Sequence, residues 1–291
     1  MHIFLTGGTG FTGSYVARRL IEHGHVVKAL VRQTSDCSFL PAGVETVSGT
    51  LEDVEGLSKS MRNADALVNV ASIGFGHVPG IVRTANEAGV ARCVFFSTTA
   101  LFTRLNAKSK SVRIEAEREI RESGLDWTIL RPTMIYGSAR DRNICRLVRY
   151  LARFPVIPVF GNGRSLQQPV YVDDLANAVV KVLDSNVTVR NAYNLPGAAA
   201  LSFNEVIDSI ASKLGRRIRK VHLAAAPLVT MLRTMEGMGI VLPIKSEQLE
   251  RLNEDKSFDY GEAKRDFSYE PIPFHVGVDH VIRDCLARSG R

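Results

Sequence analysis

The sequence predicts an α/β fold: a doubly wound parallel sheet carrying a small mixed lobe at its C-terminal end. Three observations predict it. A glycine-rich turn, Gly7-Gly8-Thr9-Gly10-Phe11-Thr12-Gly13, follows a short apolar strand and opens a long helical pattern. Apolar runs of strand length then alternate with helical stretches through the first half. Finally, 291 residues with 45% hydrophobic content supply a core sizeable enough for one large domain or two modest lobes.

The strands read, in order, as His2–Thr6, Val26–Arg32, Val44–Gly49, Ala66–Ala71, Arg92–Ser97 and Trp127–Leu130, all rich in Val, Ile, Leu and Phe. Between them, helical stretches close on Gly24, Gly89 and Gly124, each placed to supply the left-handed residue that ends a helix. Strand–helix–strand repetition requires right-handed crossovers and yields a parallel sheet covered on both faces. Past a break at Pro155, Pro158, Gly161 and Gly163, Tyr171–Leu183 reads as a strand end running into a helix, and Asn191–Leu195 as another strand. Ser202 and Glu205 form a capping box, followed by Phe203, Val206, Ile207, Ile210 and Leu214 on one helix face. These patterns divide the chain into a nucleotide-binding part, residues 1–160, and a C-terminal substrate or partner lobe, residues 161–291, interleaved with the sheet.

The opening turn has the spacing of a dinucleotide-binding turn of Rossmann type. Gly7 permits the tight turn, Gly10 lets backbone approach a pyrophosphate, and Gly13 lets the helix pack on the strand. The helix start offers unpaired N–H groups and a positive dipole end to the phosphates. Cofactor choice falls to the end of the second strand. An acidic residue there would accept hydrogen bonds from the adenosine ribose, but Arg32 occupies the position, and a guanidinium suits a 2′-phosphate. NADP(H) is therefore expected over NAD(H).

The turn, together with Val94–Thr99, Leu130-Arg131-Pro132-Thr133-Met134-Ile135-Tyr136-Gly137 and Gln168-Pro169-Val170-Tyr171-Val172-Asp173-Asp174-Leu175-Ala176, resembles the extended and atypical short-chain dehydrogenase/reductase superfamily, in its epimerase-like branch. The tail, from Pro243 through Glu247-Gln248-Leu249 to Pro271 and Gly277, is similar to relatives of the accessory nucleotide-binding subunit of respiratory complex I. The resemblance implies a cofactor site built from Gly7, Thr9, Gly10, Phe11, Thr12, Gly13, Arg32, Thr50, Leu51, Ala71, Ser72, Ser97, Arg113, Pro132 and Thr133. It implies a catalytic Ser/Thr at Thr99, followed by a Tyr-x-x-x-Lys dyad on the next helix. At that spacing both side chains share a helix face, and the ammonium lowers the phenol pKa for proton exchange with a carbonyl or alcohol.

The dyad is absent. Its positions fall on Ser109 and Arg113, and no tyrosine occurs between Tyr15 and Tyr136. A serine hydroxyl is too weak an acid to replace the phenol, and a guanidinium does not shuttle protons at neutral pH. Two further departures weigh against a nucleotide-sugar epimerase or reductase: Thr50 stands where relatives carry an aspartate, and Gln167 where epimerases carry an arginine.

Other candidates have plainer readings beside the functional ones. His77 lies in a loop after the fourth strand, where an imidazole can act as acid or base or simply sit on the surface. Tyr136 reads as a packing residue, and Asp173 and Asp174 as caps of a helix beginning at Leu175. Arg140, Arg142, Arg146, Arg149 and Arg153 recur at near-helical spacing, as a solvated face or a site for an anion. The net charge of +7 suits a polyanionic ligand, but Lys and Arg are dispersed without an aromatic-basic module, which excludes a nucleic-acid binder. Cys37, Cys93, Cys145 and Cys285 are widely spaced, a pattern read as neither a zinc or other metal site nor a disulfide framework, and as suited to the cytoplasm. The apolar stretch Leu223–Leu242 contains Pro227, Arg233 and Glu236, so an amphipathic or substrate-covering helix is expected there, not a transmembrane segment. The resulting expectation is an NADP(H)-binding atypical oxidoreductase acting on a small substrate. A non-catalytic, redox-sensing or structural dinucleotide-binding protein with a protein partner is the second class.

Overall fold

The computed structural model describes residues 1–105, 108–237, 250 and 253–287. Its first half runs β1 (His2–Thr6), α1 (Phe11–Glu22), β2 (Val26–Val31), β3 (Glu45–Ser48), α2 (Val54–Met61), β4 (Ala66–Asn69), α3 (Val78–Ala88), β5 (Arg92–Phe96), α4 (Lys108–Glu122) and β6 (Asp126–Pro132). There follow β7 (Ile135–Tyr136), α5 (Ile144–Arg153), β8 (Val156–Phe160), β9 (Leu166–Gln167), β10 (Val170–Tyr171), α6 (Val172–Leu183) and β11 (Asn191–Leu195). The last described elements are β12 (Leu201–Ser202), α7 (Phe203–Lys213), β13 (Arg219–Leu223), α8 (Ala225–Gly237), α9 (Gly261–Phe267) and α10 (Phe274–Ala287).

Seven strands form one parallel sheet in the order β3-β2-β1-β4-β5-β6-β11. Successive strand residues point to opposite faces, so continuous apolar runs serve two cores at once. Ile3 and Leu5, with Ala66, Val68, Val94 and Phe96, face the core that α1 and α6 close. Phe4, Leu67, Cys93 and Phe95 face the other, closed by α2, α3 and α4. The glycines expected to end helices, Gly24, Gly89 and Gly124, all have positive φ. Several strands stop one or two residues before their predicted ends, whereas β6 is longer than predicted.

A third core holds Tyr136, α5, β8, α7 and α10. Residues on both sides of position 160 therefore contribute to both lobes: α5 and β8 to the small one, α6 and β11 to the large one. The capping box at Ser202 and Glu205 is formed, with both reciprocal hydrogen bonds. Asp173 and Asp174 do not cap a helix at Leu175. That helix starts at Val172, which puts both carboxylates in its first turn. Asp173 pairs with Arg19 of α1, and Asp174 accepts the Ile272 amide at 3.0 Å. The 223–242 stretch begins with the edge of β13 and continues as α8, where Leu232 is buried and Met231 exposed; residues 238–242 lie outside the described residues. Among the described residues no helix is long and apolar enough to cross a membrane.

The cysteine expectation needs correction, because Cys145 of α5 and Cys285 of α10 form a disulfide. Their sequence separation of 140 residues gave no sign that folding sets these helices side by side. The pairing removes the argument from cysteine spacing for a reducing compartment. Of the other two, Cys37 is exposed, and burial pushes the Cys93 thiol up to about 12.

Two measurements check this account. A cross-link closing so long a loop restricts the unfolded chain, so Cys285→Ser should lower unfolding free energy by about 2–4 kcal/mol in urea titrations; an unchanged midpoint would contradict the bridge. Burial raises the Asp174 carboxyl to about 6 from the ordinary 3.8, with the Ile272 amide opposing. The folded state thus holds this proton more tightly than the unfolded one. Its contribution is full at pH below 3.8 and is lost as pH rises through about 6. Wild-type stability should fall relative to Asp174→Asn across that window, and parallel pH profiles would refute the assignment.

Candidate functional site

The sheet order reverses direction at β1, with β2 on one side and β4 on the other, and a cleft opens there at the strand ends. Gly7 leaves β1 with φ +72°, and a side chain on it would sit 2.6 Å from the Ala71 nitrogen past β4. A Cβ on Gly13 would lie 2.0 Å from the Gly7 carbonyl oxygen. These two contacts seat α1 directly on the turn. By helix geometry the N–H groups of Phe11, Thr12 and Gly13 lack intrahelical acceptors, and they open toward the cleft.

Two cavities meet over this turn and share Gly7, Gly10, Val70 and Ser72. One extends toward β2 and β3 and is lined by Thr9, Arg32, Ser35, Thr50, Leu51, Glu52, Ala71, Phe75 and His77. The other extends toward β5 and β6 and is lined by Phe11, Thr12, Gly13, Ile73, Phe96, Ser97, Thr98, Arg113, Pro132 and Ile135. The predicted cofactor residues thus gather around one continuous groove, except Thr133. Its hydroxyl donates to the Gln168 carbonyl and lines neither cavity.

The catalytic candidates fare differently. Thr99 is 7% exposed, and its hydroxyl donates to the Pro132 carbonyl at 3.3 Å, which turns it into the protein. The neighbouring Thr98 lines the cavity instead, its hydroxyl accepting the Ala100 amide at 3.1 Å. A short 3-10 turn starts at Thr99, with Thr98 as its cap. His77 lies in the β2–β3 cavity, across the groove from Thr98 and Arg113, with Nε2 3.7 Å from a Glu52 oxygen. The imidazole is a wall of that cavity, while Ile73, earlier in the loop, lines the other. Ser109 sits in the first turn of α4, and its side chain is outside those described. Arg113, one turn further on, reaches the cavity and packs against the Gly74 turn. Tyr136 is fully buried between the rings of Tyr171 and Phe274, where desolvation drives its phenol well above the usual range.

Beneath the β5–β6 cavity lies a charged support absent from the sequence reading. Arg131 of β6 grips Glu117 of α4 through Nε at 2.8 Å and through Nη2, while Arg121 adds a second cation. Burial would raise the Glu117 pKa, but the Arg131 hydrogen bonds and the two positive charges outweigh it and hold the carboxyl below its ordinary value. Ser97 stands beside this carboxylate at the cavity wall. Also unforeseen were Ser35, Glu52 and Phe75 in the β2–β3 cavity and Ile73, Phe96 and Ile135 in the other. Phe75, 75% exposed in a Gly-Phe-Gly loop, was the most legible of them.

Comparison with known proteins shows the family of the chain that forms this groove. The NAD(P)H-binding family profile matches residues 7–186, more than half the chain and all of the phosphate turn. The chain belongs to this NAD(P)H-binding family. It is similar to several proteins at low identity. They include the photosystem II assembly factor Ycf39 of Synechocystis, 24% identical over 77% of this chain and 72% of that protein. Another is an isoflavone reductase homolog, A622, of Nicotiana tabacum, 23% identical over 79% and 80%. An uncharacterized protein of Sinorhizobium fredii is 25% identical over 92% and 74%. The chain spans about a quarter, 26%, of a longer uncharacterized protein of Mycobacterium tuberculosis. In fold it matches UDP-glucose 4-epimerase of Thermotoga maritima with a TM-score of 0.79 at 18% identity over the whole of both chains. It also matches the dTDP-glucose 4,6-dehydratase DesIV of Streptomyces venezuelae, solved with NAD, at 0.76 and 20% over 100% and 98%.

The seating of α1 makes a direct prediction. Gly13→Ala must push the helix off the turn, so NAD(P)H affinity should fall at least about tenfold and stability by about 1–3 kcal/mol. Fluorescence titration and thermal unfolding both read this, and wild-type behaviour in both would contradict the packing.

Proposed function

We propose that the protein is an NADP(H)-dependent oxidoreductase of atypical short-chain type, transferring hydride to or from a small carbonyl or alcohol. The reading rests on the division of labour along the groove. Arg32 and Ser35 line the end that suits adenosine, where Arg32 would pair with a 2′-phosphate. Arg32, and not a carboxylate, is the residue that directly follows β2; Glu52 lies beyond β3, held low in pKa by the Thr50 hydroxyl first and by His77 and Arg32 charge after it. At the nicotinamide end, Thr98 and Ser72 offer hydroxyls, and Arg113 offers a fixed positive charge for an oxyanion developing beside nicotinamide C4. Ile73, Phe96, Pro132 and Ile135 keep that end apolar, which fits a small, moderately apolar substrate. Hydride chemistry with this set takes its proton from water or from a group outside the described residues.

One observation favours a second reading. Among the described residues, no phenol, imidazole, amine or carboxylate lines the nicotinamide-end cavity. A protein that holds the dinucleotide as a structural or redox-sensing ligand needs none. Ycf39, an assembly factor by name, gives that class a precedent among the relatives and motivates a search for a protein partner.

Turnover separates the two. Steady NADPH oxidation with at least one member of a carbonyl panel is expected for the enzyme. Stoichiometric, tight binding without turnover, together with a reproducible protein partner, would overturn it. For the 2′-phosphate assignment, Arg32→Asp should weaken NADPH about tenfold to a hundredfold while sparing NADH; a retained NADPH preference would refute it.

A further inference from the structure

Arg140 lies between β7 and α5, well outside the strand–turn–helix that forms the phosphate turn, yet its guanidinium rests against that turn. Nη2 donates to the Thr9 carbonyl at 2.6 Å and Nη1 to the Ser14 hydroxyl at 3.1 Å. The guanidinium carbon stands 4.0 Å from the centre of the Phe39 ring, which shields this contact from water on one side. The peptide joining Thr9 to Gly10 is therefore fixed at both ends, because the Gly10 amide donates to the Gly7 carbonyl at 3.0 Å. Ser14 carries the same restraint into α1, since its hydroxyl also donates to the Phe11 carbonyl at 2.9 Å.

The segment bearing Arg140 is itself strapped down. The Ala139 amide donates to Asp284 of α10 at 2.7 Å, and the Arg140 amide to the Ser138 hydroxyl at 3.1 Å. Asp141 accepts the amides of Asn143, Ile144 and Cys145 at the start of α5, and Cys145 is bridged to Cys285 of α10. A strap between β7 and α5, held at both ends, thus presses one cation against the back of the turn.

We propose that Arg140 is a positioning residue for the dinucleotide: from behind, it fixes the Thr9–Gly10 peptide and the first turn of α1 in the geometry that receives the pyrophosphate. Arg140 lines neither cavity, so it acts through the turn and not by touching the cofactor. This depends on NAD(P)H binding alone, not on the 2′-phosphate preference assigned to Arg32. NADPH and NADH must therefore respond alike. A mononucleotide without a pyrophosphate, such as adenosine 2′-monophosphate, must not respond.

The test titrates NADPH, NADH and adenosine 2′-monophosphate into wild type, Arg140→Ala and Arg140→Lys, with thermal unfolding of each unliganded protein alongside. Arg140→Ala is expected to weaken both dinucleotides about tenfold and to leave the mononucleotide unchanged. Arg140→Lys, which keeps the charge but not the two-pronged donor, should recover part of the loss. Unchanged dinucleotide affinity in Arg140→Ala overturns the proposal, as does equal weakening of all three ligands, which a loosened fold would produce. If Arg140→Ala does not fold, Ser14→Ala removes the Nη1 acceptor and the Phe11 contact while leaving the Nη2 bond to Thr9 in place, and should weaken both dinucleotides about threefold; unchanged affinity there is equally fatal. Equal wild-type affinity for NADPH and NADH would count against the Arg32 reading only, and the NADH comparison would still decide on Arg140.

Discussion

The contact on which the site depends is the seating of α1 on the end of β1. With Gly13 against the Gly7 carbonyl and Gly7 against the backbone past β4, three pieces of main chain approach more closely than any side chain would permit. That approach points the unpaired amides at the helix start into the gap where the sheet order reverses. The two cavities on either side of the gap are then consequences of topology. One is bounded by the loops after β2 and β3, the other by the loops after β5 and β6. The strands that make this possible are buried on both faces, and alternate residues of β1 serve opposite cores.

Much of this was legible in the amino-acid sequence because the features are local. The glycine spacing, the Ser202–Glu205 box and the helix-ending glycines are backbone requirements satisfied within a few residues. Arg32 was legible for the same reason, lying one residue beyond β2. What escaped depends on long-range placement. Cys145 and Cys285 meet only because α5 and α10 pack together, and Arg140 reaches the turn only because the small lobe folds back on it. That the Thr99 hydroxyl turns to Pro132 while Thr98 lines the cavity was not legible, since the direction of a hydroxyl in a 3-10 turn is not a property of spacing. His77 lies at the expected sheet edge, and which of the two cavities it lines depends on the fold of its loop.

The β5–β6 cavity combines a rigid wall with little acid–base capacity among the described residues. The buried pair of Arg131 and Glu117 fastens α4 to β6 and thereby fixes the wall that carries Ser97 and Arg113. Such a pair specifies geometry more than it adds stability, because desolvation offsets its Coulombic gain. A preorganised wall with a fixed cation is suited to stabilising negative charge, whether on a reacting oxygen or on the cofactor itself. Hydride transfer and ligand sensing both use that property; only hydride transfer to a carbonyl also needs a proton donor.

The most direct test of this account is a crystal structure with NADP⁺ bound. The pyrophosphate should lie over the amides of Phe11, Thr12 and Gly13, with the 2′-phosphate at Arg32 and the nicotinamide between Ser97, Thr98 and Arg113. A dinucleotide bound in the opposite direction, or with its 2′-phosphate turned away from Arg32, would contradict it.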